Sequence, residues 1–203
     1  RYAFLIWNLF LAWLPLVLAL LAREKYRTTK SDAPLGWQFL SLSAAWLLFL
    51  PNAPYICTDL VHLTTRFFGG FWVDLAIILS CAFTGLVLGF VSLYLMHSVV
   101  TQRYGARWGW GFVVGVAGLS SFGIYLGRFL RFNSWDVVTQ PGKLYQGISA
   151  VATGQGHPHQ IAFMVLFATF LFLAYLMLYA LTHLPRSLHL ADAPGLPEVT
   201  PAR

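Results

Sequence analysis

Five long apolar segments divide this chain, and they constrain its fold more than any other feature. They cover residues 3–22, 35–50, 71–96, 108–127 and 161–181. A helix needs about 20 apolar residues to cross the hydrocarbon core of a bilayer, and these segments have roughly that length. We therefore predict an all-α fold: a polytopic transmembrane helix bundle of about five spans, forming a single membrane domain over residues 1–182.

The composition agrees with a chain that lies mostly in a membrane. Of the 203 residues, 58% are hydrophobic and 10% are charged, whereas ordinary globular domains contain about 25% charged residues. The net charge of +6 is typical of basic cytoplasmic loops. No nucleic-acid-binding pattern accompanies it, so we expect no nucleic-acid partner. The two cysteines, Cys57 and Cys81, are too few for a disulfide framework.

The two ends of the chain and its longest loop have patterns of their own. The first apolar segment lacks a small-residue cleavage site before its charged flank, so we interpret it as a span and not as a removed signal peptide. In the 137–160 loop, Leu144, Ile148 and Val151 recur at helical spacing, which predicts a short interfacial helix. Residues 183–203 are rich in proline, alanine and charge, which indicates a disordered cytoplasmic tail.

The distribution of basic residues predicts the orientation of the spans. Cytoplasmic loops carry an excess of lysine and arginine. With the amino terminus outside, eight basic residues fall on the inner side and five on the outer side, and two short inner loops hold six of the eight. We therefore expect an outside amino terminus and a cytoplasmic carboxyl terminus.

Glycine pairs and a proline pair indicate where helices pack closely or break. Three glycine pairs have the GxxxG spacing that lets two helices approach: Gly85/Gly89, Gly111/Gly115 and Gly123/Gly127. Two of these pairs lie in the fourth span, so we expect that span at the centre of the bundle. Pro51 and Pro54 follow the second span and are expected to end or break its helix.

Polar side chains concentrate at one end of the predicted spans. In chain order they are Asn8, Asn52, Asp59, His62, Arg66, Asp74, Arg128, Arg131, Asn133 and Asp136. With the amino terminus outside, all of them fall at or beyond the outer ends of the spans. Polar groups at membrane depth are costly unless they are paired or wetted, and they often mark functional sites. The sequence therefore predicts an outward-facing polar cavity.

Arg128 and Arg131 are the strongest candidates for contact with a ligand. Guanidinium groups bind phosphate or carboxylate through paired hydrogen bonds, so an anionic lipid headgroup or another acidic small molecule is the predicted ligand. If the helix continues past Gly127, both arginines share one face with Trp135. The other residues predicted to shape the pocket are Asn8, Asn52, Tyr125, Asn133 and Trp135.

The same cluster allows two other interpretations. Structural ion pairs between Arg128 and Asp136, or between Arg131 and Asp59, would join the spans without binding a ligand. Alternatively, Asp59, His62 and Asp136 are candidate acid–base groups of a membrane-embedded enzyme that acts on a lipid-linked substrate. We find no metal signature and predict no metal site, and the pattern identifies no cofactor.

Two further functions depend on the whole bundle and not on the cluster. The glycine-rich fourth span is compatible with an accessory subunit of a membrane complex or with a homo-oligomer. A transporter or channel is disfavoured by the odd number of spans, by the lack of an internal repeat and by the low polarity of the inner ends.

Three sequence blocks resemble one known family. They are residues 7–15 (WNLFLAWLP), residues 49–55 (FLPNAPY) with Asp59, and residues 122–136 (FGIYLGRFLRFNSWD). Over about residues 2–182 the chain resembles a bacterial family of multi-span membrane proteins catalogued as a domain of unknown function. The resemblance implies a protein of the bacterial inner membrane. It implies no activity, ligand or catalytic residue.

Overall fold

The computed structural model describes residues 3–28, 34–65, 71–153 and 159–191, and all its elements there are helical. In chain order they are α1 (Ala3–Thr28), α2 (Trp37–Phe49), α3 (Asn52–Tyr55), a 3₁₀ helix (Ile56–Thr65), α4 (Phe71–Tyr104), α5 (Ala106–Phe129), α6 (Asp136–Thr139), α7 (Pro141–Ala152) and α8 (Gln160–Ala191). The predicted all-α fold class is confirmed.

Within the described ranges, five helical stretches are long and apolar enough to cross a membrane, which confirms the predicted multi-span bundle. They are Phe4–Thr28, Trp37–Val61, Phe71–Tyr104, Ala106–Phe129 and Gln160–His183. Helices α1 and α4 continue past the predicted span ends at residues 22 and 96. The polar residues that follow those ends include arginine, lysine, glutamate and glutamine, which are good helix formers, so loss of hydrophobicity does not end the helix.

A single residue, Gly105, joins α4 to α5. Its φ of +93° lies in the left-handed region that glycine adopts without a Cβ penalty. The short loop expected between the third and fourth spans is therefore a tight helical hairpin. Arg103 lies in the last turn of α4, and Arg107 lies in the first turn of α5.

Helix α4 is the element against which most of the bundle packs. Helices α1, α3 and α5 and the 3₁₀ helix all contact it extensively, whereas α8 packs mainly on α5. The fourth span, which the sequence places at the centre, is the most buried of the five. However, a Cβ added at Gly111 or Gly115 would meet no atom within 4 Å. This glycine pair therefore faces away from the described helices, and α4 takes the central position.

The other two glycine pairs enclose the break in the second span, which we call the proline turn (residues 51–55). A Cβ on Gly85 of α4 would collide with the Ala53 carbonyl oxygen, and one on Gly123 of α5 would lie 2.7 Å from Pro51 Cγ. Only glycine allows so close an approach of helix backbones. The proline turn is therefore held between α4 and α5.

After α5, the structure agrees with one prediction from the sequence and differs from another. Helix α7 is the short helix predicted in the 137–160 loop. The sequence predicts disorder from residue 183, but α8 is helical to Ala191, so the described part of the tail is helical. Residues 192–203 lie outside the described ranges, and so does Arg66.

Gly85→Val is expected to destabilise the bundle, because the new side chain would collide with the carbonyl oxygen of Ala53. Overpacking of this kind costs about 1–3 kcal/mol. The unfolding temperature in detergent, followed by circular dichroism, should therefore fall. Gly115→Val is the matched control, because its Cβ would meet open space. Equal unfolding temperatures for the two variants would contradict the packing of the proline turn on α4.

Candidate functional site

A cavity of about 720 Å³ lies at the end of the bundle where α1 begins and α5 ends. Its wall is formed by α1, the end of α2, the proline turn, the 3₁₀ helix, the end of α5 and the segment that follows α5. The polar residues of this wall are Asn8, Asn52, Tyr55, Asp59, Arg128, Arg131, Asn133 and Ser134. Six of the ten residues predicted for the site therefore meet in one cavity.

Asp59 connects three elements of the cavity wall. Its carboxylate belongs to the 3₁₀ helix and is 2% exposed. The side-chain amide of Asn8, on α1, donates to Oδ2 over 2.9 Å. Nη1 of Arg128, on α5, lies 3.5 Å from Oδ1. Because a buried carboxylate is costly unless it is paired and hydrogen-bonded, these contacts hold α1 and α5 at the 3₁₀ helix.

The ion pairing differs from the structural pairs considered from sequence. Arg128 pairs with Asp59 and not with Asp136. The guanidinium of Arg131 is exposed, and within the described ranges it makes neither a hydrogen bond nor an ion pair. The cavity wall therefore carries two arginines and one carboxylate among its described residues, which leaves positive charge in excess.

Helix α5 ends too early to place both arginines and Trp135 on one helical face. The helix stops at Phe129, and Arg131 has φ +58°, a left-handed conformation that turns the chain. Arg128 and Arg131 both line the cavity, whereas Trp135 does not. The predicted single face is therefore wrong, because the chain reverses at Arg131. The same reversal brings the second guanidinium to the cavity.

Asp136 stabilises the segment after α5 and is not part of the cavity wall. It accepts hydrogen bonds from the Asn133 backbone N–H over 2.7 Å and from the Thr139 hydroxyl over 3.0 Å. The bond from the Asn133 backbone has the largest effect, and together with Thr139 and the charge of Lys143 it holds the pKa of Asp136 below its ordinary value of 3.8. Asp136 thus acts as a structural carboxylate in this arrangement.

Asn52 and Ser134 connect the proline turn to the same segment. The side-chain amide of Asn52 donates to Ser134 Oγ over 3.1 Å, and the Ser134 hydroxyl donates to the Leu48 carbonyl over 3.2 Å. The second bond gives the Leu48 carbonyl a donor near the end of α2, where the last backbone carbonyls have no N–H partner within the helix. Ser134 was not among the residues predicted for the site. Its signal in the sequence is its position directly after Asn133.

Tyr125 and His62 are two other residues that the sequence predicted for the site. Tyr125 is fully buried, and its hydroxyl donates to Gln160 Oε1 over 2.9 Å, which joins α5 to α8. The backbone of His62 lies in the 3₁₀ helix, but its side chain is outside the described part of the structure. The Asp59–His62 pair is therefore not tested. Among the described side chains, no group of three or more His, Cys, Asp or Glu residues could hold a metal ion.

Two polar features of the structure were not predicted from the sequence. Tyr55 lines the cavity, although its position in an apolar, proline-rich block gave no signal for this role. Far along α4, His97 is 4% exposed and its Nδ1 lies 2.8 Å from the Tyr175 hydroxyl. The sequence indicates little polarity at that end of the bundle, because His97 and Tyr175 are far apart in the chain and each stands in an apolar run.

Asp59→Ala is expected to reduce stability, because it removes the acceptor of Asn8 and the counter-ion of Arg128. Loss of one partner of a buried charged hydrogen bond costs about 1.5–3 kcal/mol, and thermal unfolding in detergent should show this loss. Glu24→Ala is the control, since the Glu24–Arg27 pair is 3.9 Å long and exposed, and such pairs contribute about 0–1 kcal/mol. A loss no larger than that of Glu24→Ala would contradict the central role of Asp59.

The segment after α5 should lose stability in acid through Asp136. Because its folded-state pKa is lowered, its contribution is present above the unfolded-state pKa and disappears as the pH falls through the lower folded-state value. We expect the unfolding temperature of the wild type to fall below about pH 4 more steeply than that of Asp136→Asn. Thr139→Val should keep most of the effect, since the Asn133 bond remains. Parallel curves for wild type and Asp136→Asn would contradict this assignment.

The comparison with known proteins gives a family and no activity. No curated protein and no solved structure matches the chain. Residues 7–174 match the model of a family described as a protein of unknown function, DUF1361. This range includes every polar residue of the cavity wall. The chain therefore belongs to the DUF1361 family, whose function is unknown.

Proposed function

We propose that this protein binds an anionic ligand in the cavity through Arg128 and Arg131. The observation that carries the proposal is the excess of positive charge in the wall. Arg128 has a counter-ion at 3.5 Å, and Arg131 has no partner within the described ranges. A ligand with a negative group would supply the missing partner, and guanidinium groups bind phosphate and carboxylate with good geometry.

Hydrogen-bonding groups around the arginines support the same ligand class. The Tyr55 hydroxyl lines the cavity and has no hydrogen-bond partner among the described residues. Asn8 and Asn52 each use the amide nitrogen within the protein, which leaves the amide oxygens as acceptors. The wall thus offers donors for an anion together with acceptors for hydroxyl groups on the same ligand.

The location that fits this site is the outer side of a bacterial inner membrane. The count of basic residues supports an outside amino terminus and a cytoplasmic carboxyl terminus. Because α1 begins at the cavity, that orientation makes the cavity accessible from outside. The bacterial assignment rests on the family resemblance of the three sequence blocks.

The second candidate function is a subunit of a membrane complex or a homo-oligomer. Its support is the open face of α5, where Gly111 and Gly115 have no neighbour and Val114 is 56% exposed. Small residues in a membrane helix usually face another helix. The molar mass of the detergent-solubilised protein, measured by light scattering, tests self-association, and a monomer mass would contradict the homo-oligomer.

An enzyme and a channel have less support. The candidate base Asp59 is held by Asn8 and Arg128, which suits a fixed counter-ion. A channel needs a polar route through the bundle. A second cavity, of about 20 Å³, has mainly apolar walls, has room for about one water molecule and shares no lining residue with the polar cavity.

Native mass spectrometry of the protein in mild detergent tests the anion site. Wild type should retain an anionic adduct from the cell membrane or cytoplasm, and Arg131→Gln should reduce its occupancy about tenfold, as expected for loss of a charge-assisted hydrogen bond. Arg131 is exposed and unpaired among the described residues, so its replacement should leave the fold intact.

Lys143→Gln is the matched control for charge. Lys143 is an exposed basic residue of the neighbouring helix α7 and does not line the cavity, so this variant should keep the adduct. Identical adducts on wild type, Arg131→Gln and Lys143→Gln would reject the anion site and favour the subunit function.

A further inference from the structure

We propose that the ligand of the cavity is a membrane-resident amphiphile, a phospholipid with an anionic phosphate headgroup and hydrocarbon tails, and not a soluble acid. This inference rests on the proposed anion site and specifies its substrate class. Three observations support it: the layering of the wall, an apolar side opening towards the hydrocarbon, and the charges of the wall.

The cavity wall has an apolar level on one side of its charged groups. On α1, Asn8 lies between Phe4 and Trp7 on one side and Leu11 on the other, and all of them line the cavity. On α5, Arg128 is preceded by Leu126 and, five residues back, by Gly123. With a rise of 1.5 Å per residue, the steps from Asn8 to Leu11 and from Arg128 to these two residues correspond to roughly 3–8 Å. Asn8 and Arg128 contact the same carboxylate, and α1 and α5, as the first and fourth spans, run in opposite directions. Leu11 and Leu126 therefore lie on the same side of the charged groups.

This layering matches the two parts of a lipid. A phosphate beside Arg128 and Arg131 would meet two guanidiniums, the hydroxyl of Tyr55 and the amides of the wall. Tails continuing in the same direction would meet the side chains of Leu11 and Leu126 and the ring of Pro51. A soluble anion would fill the charged level alone and leave the apolar level of the cavity in contact with water, which is unfavourable.

One side of the cavity is open to the surface that faces lipid. Helix α2 packs on α1, and α5 packs on α4 and α8. Between α2 and α5, Trp46 stacks on Phe112 with ring centroids 5.9 Å apart, and neither ring lines the cavity. Nearer the proline turn, Leu48 of α2 lines the cavity and is also 37% exposed. Because Leu48 lies within the membrane span Trp37–Val61, its exposed surface borders hydrocarbon. A tail can therefore reach the bilayer without crossing a polar wall.

The headgroup chemistry follows from the charges. The wall has two arginines and one carboxylate among its described side chains, so it suits an anion and disfavours a zwitterion with an exposed ammonium group. Anionic lipids of natural membranes carry their charge on or beside a phosphate, and arginine recognises phosphate through two parallel hydrogen bonds. An anionic phospholipid satisfies both the charged and the apolar level of the wall.

Binding of three probes to the purified protein in mild detergent, measured by native mass spectrometry, tests the inference. Dioctanoyl phosphatidic acid has the anionic head and the tails, glycerol 3-phosphate has the head alone, and dioctanoyl phosphatidylcholine has the same tails with a zwitterionic head. We expect phosphatidic acid to bind about tenfold more tightly than glycerol 3-phosphate, since burial of only about two methylene groups has an effect of that size. It should also bind about tenfold more tightly than phosphatidylcholine, since the anionic head makes a charge-assisted hydrogen bond that the zwitterionic head weakens.

Two variants separate the contribution of the head from that of the tails. Arg131→Gln should weaken phosphatidic acid about tenfold by removing one charged contact. Leu48→Trp should weaken it by a similar factor, because the larger side chain fills the apolar side opening. Leu40→Trp is the matched control, since Leu40 is exposed on the same helix and does not line the cavity.

The outcomes distinguish failure of the inference from failure of the anion site. If glycerol 3-phosphate binds as tightly as phosphatidic acid and Leu48→Trp changes neither, the inference is overturned while the anion site stands. Equal losses for Leu48→Trp and Leu40→Trp also overturn it, because the effect is then not specific to the cavity. If Arg131→Gln changes the binding of no probe, both the inference and the anion site fail.

Discussion

The rest of the structure depends on one contact, the packing of the proline turn between two glycine pairs. Pro51 and Pro54 cannot donate helical hydrogen bonds, so the second span must break, and its broken backbone needs support within the bundle. Glycines on α4 let that backbone approach the helix, and glycines on α5 let the rings of Pro51 and Tyr55 do the same. The cavity lies beside this turn, between α1, the end of α2 and the end of α5.

The electrostatics of the cavity depend on which partner stabilises Asp59. A charged hydrogen bond of good geometry contributes about 1.5–3 kcal/mol, and the bond from Asn8 is 2.9 Å long. The contact with Arg128 is 3.5 Å long, and Arg128 is partly exposed. Both contacts therefore keep the carboxylate buried, the amide through the shorter hydrogen bond and the guanidinium through its charge. Arg128 is held in position but keeps hydrogen-bonding capacity for another anion.

The fold was more predictable from sequence than the site. Hydrophobic length alone identified the five spans, because no other structure satisfies such segments in a membrane. The gathering of Asn8, Asp59 and Arg128 followed from the alternating direction of consecutive spans. The pairing within the cluster did not, because it depends on where α5 ends, and the left-handed residue that ends it is Arg131 and not a glycine. No residue-type pattern marks such a position.

Gly105 has a consequence for how the molecule can move. It joins a helix of 34 residues to one of 24 residues without a loop, so at that end α4 and α5 are tied together by one residue. At the cavity end, by contrast, the segment from Leu130 to His159 separates α5 from α8. Helices α4 and α5 are thus tied covalently by one residue at the Gly105 end, whereas α5 and α8 are joined at the cavity end by side-chain contacts such as the Tyr125–Gln160 hydrogen bond. Any opening that admits a molecule between the helices has its pivot near Gly105 and its widest displacement at the two arginines.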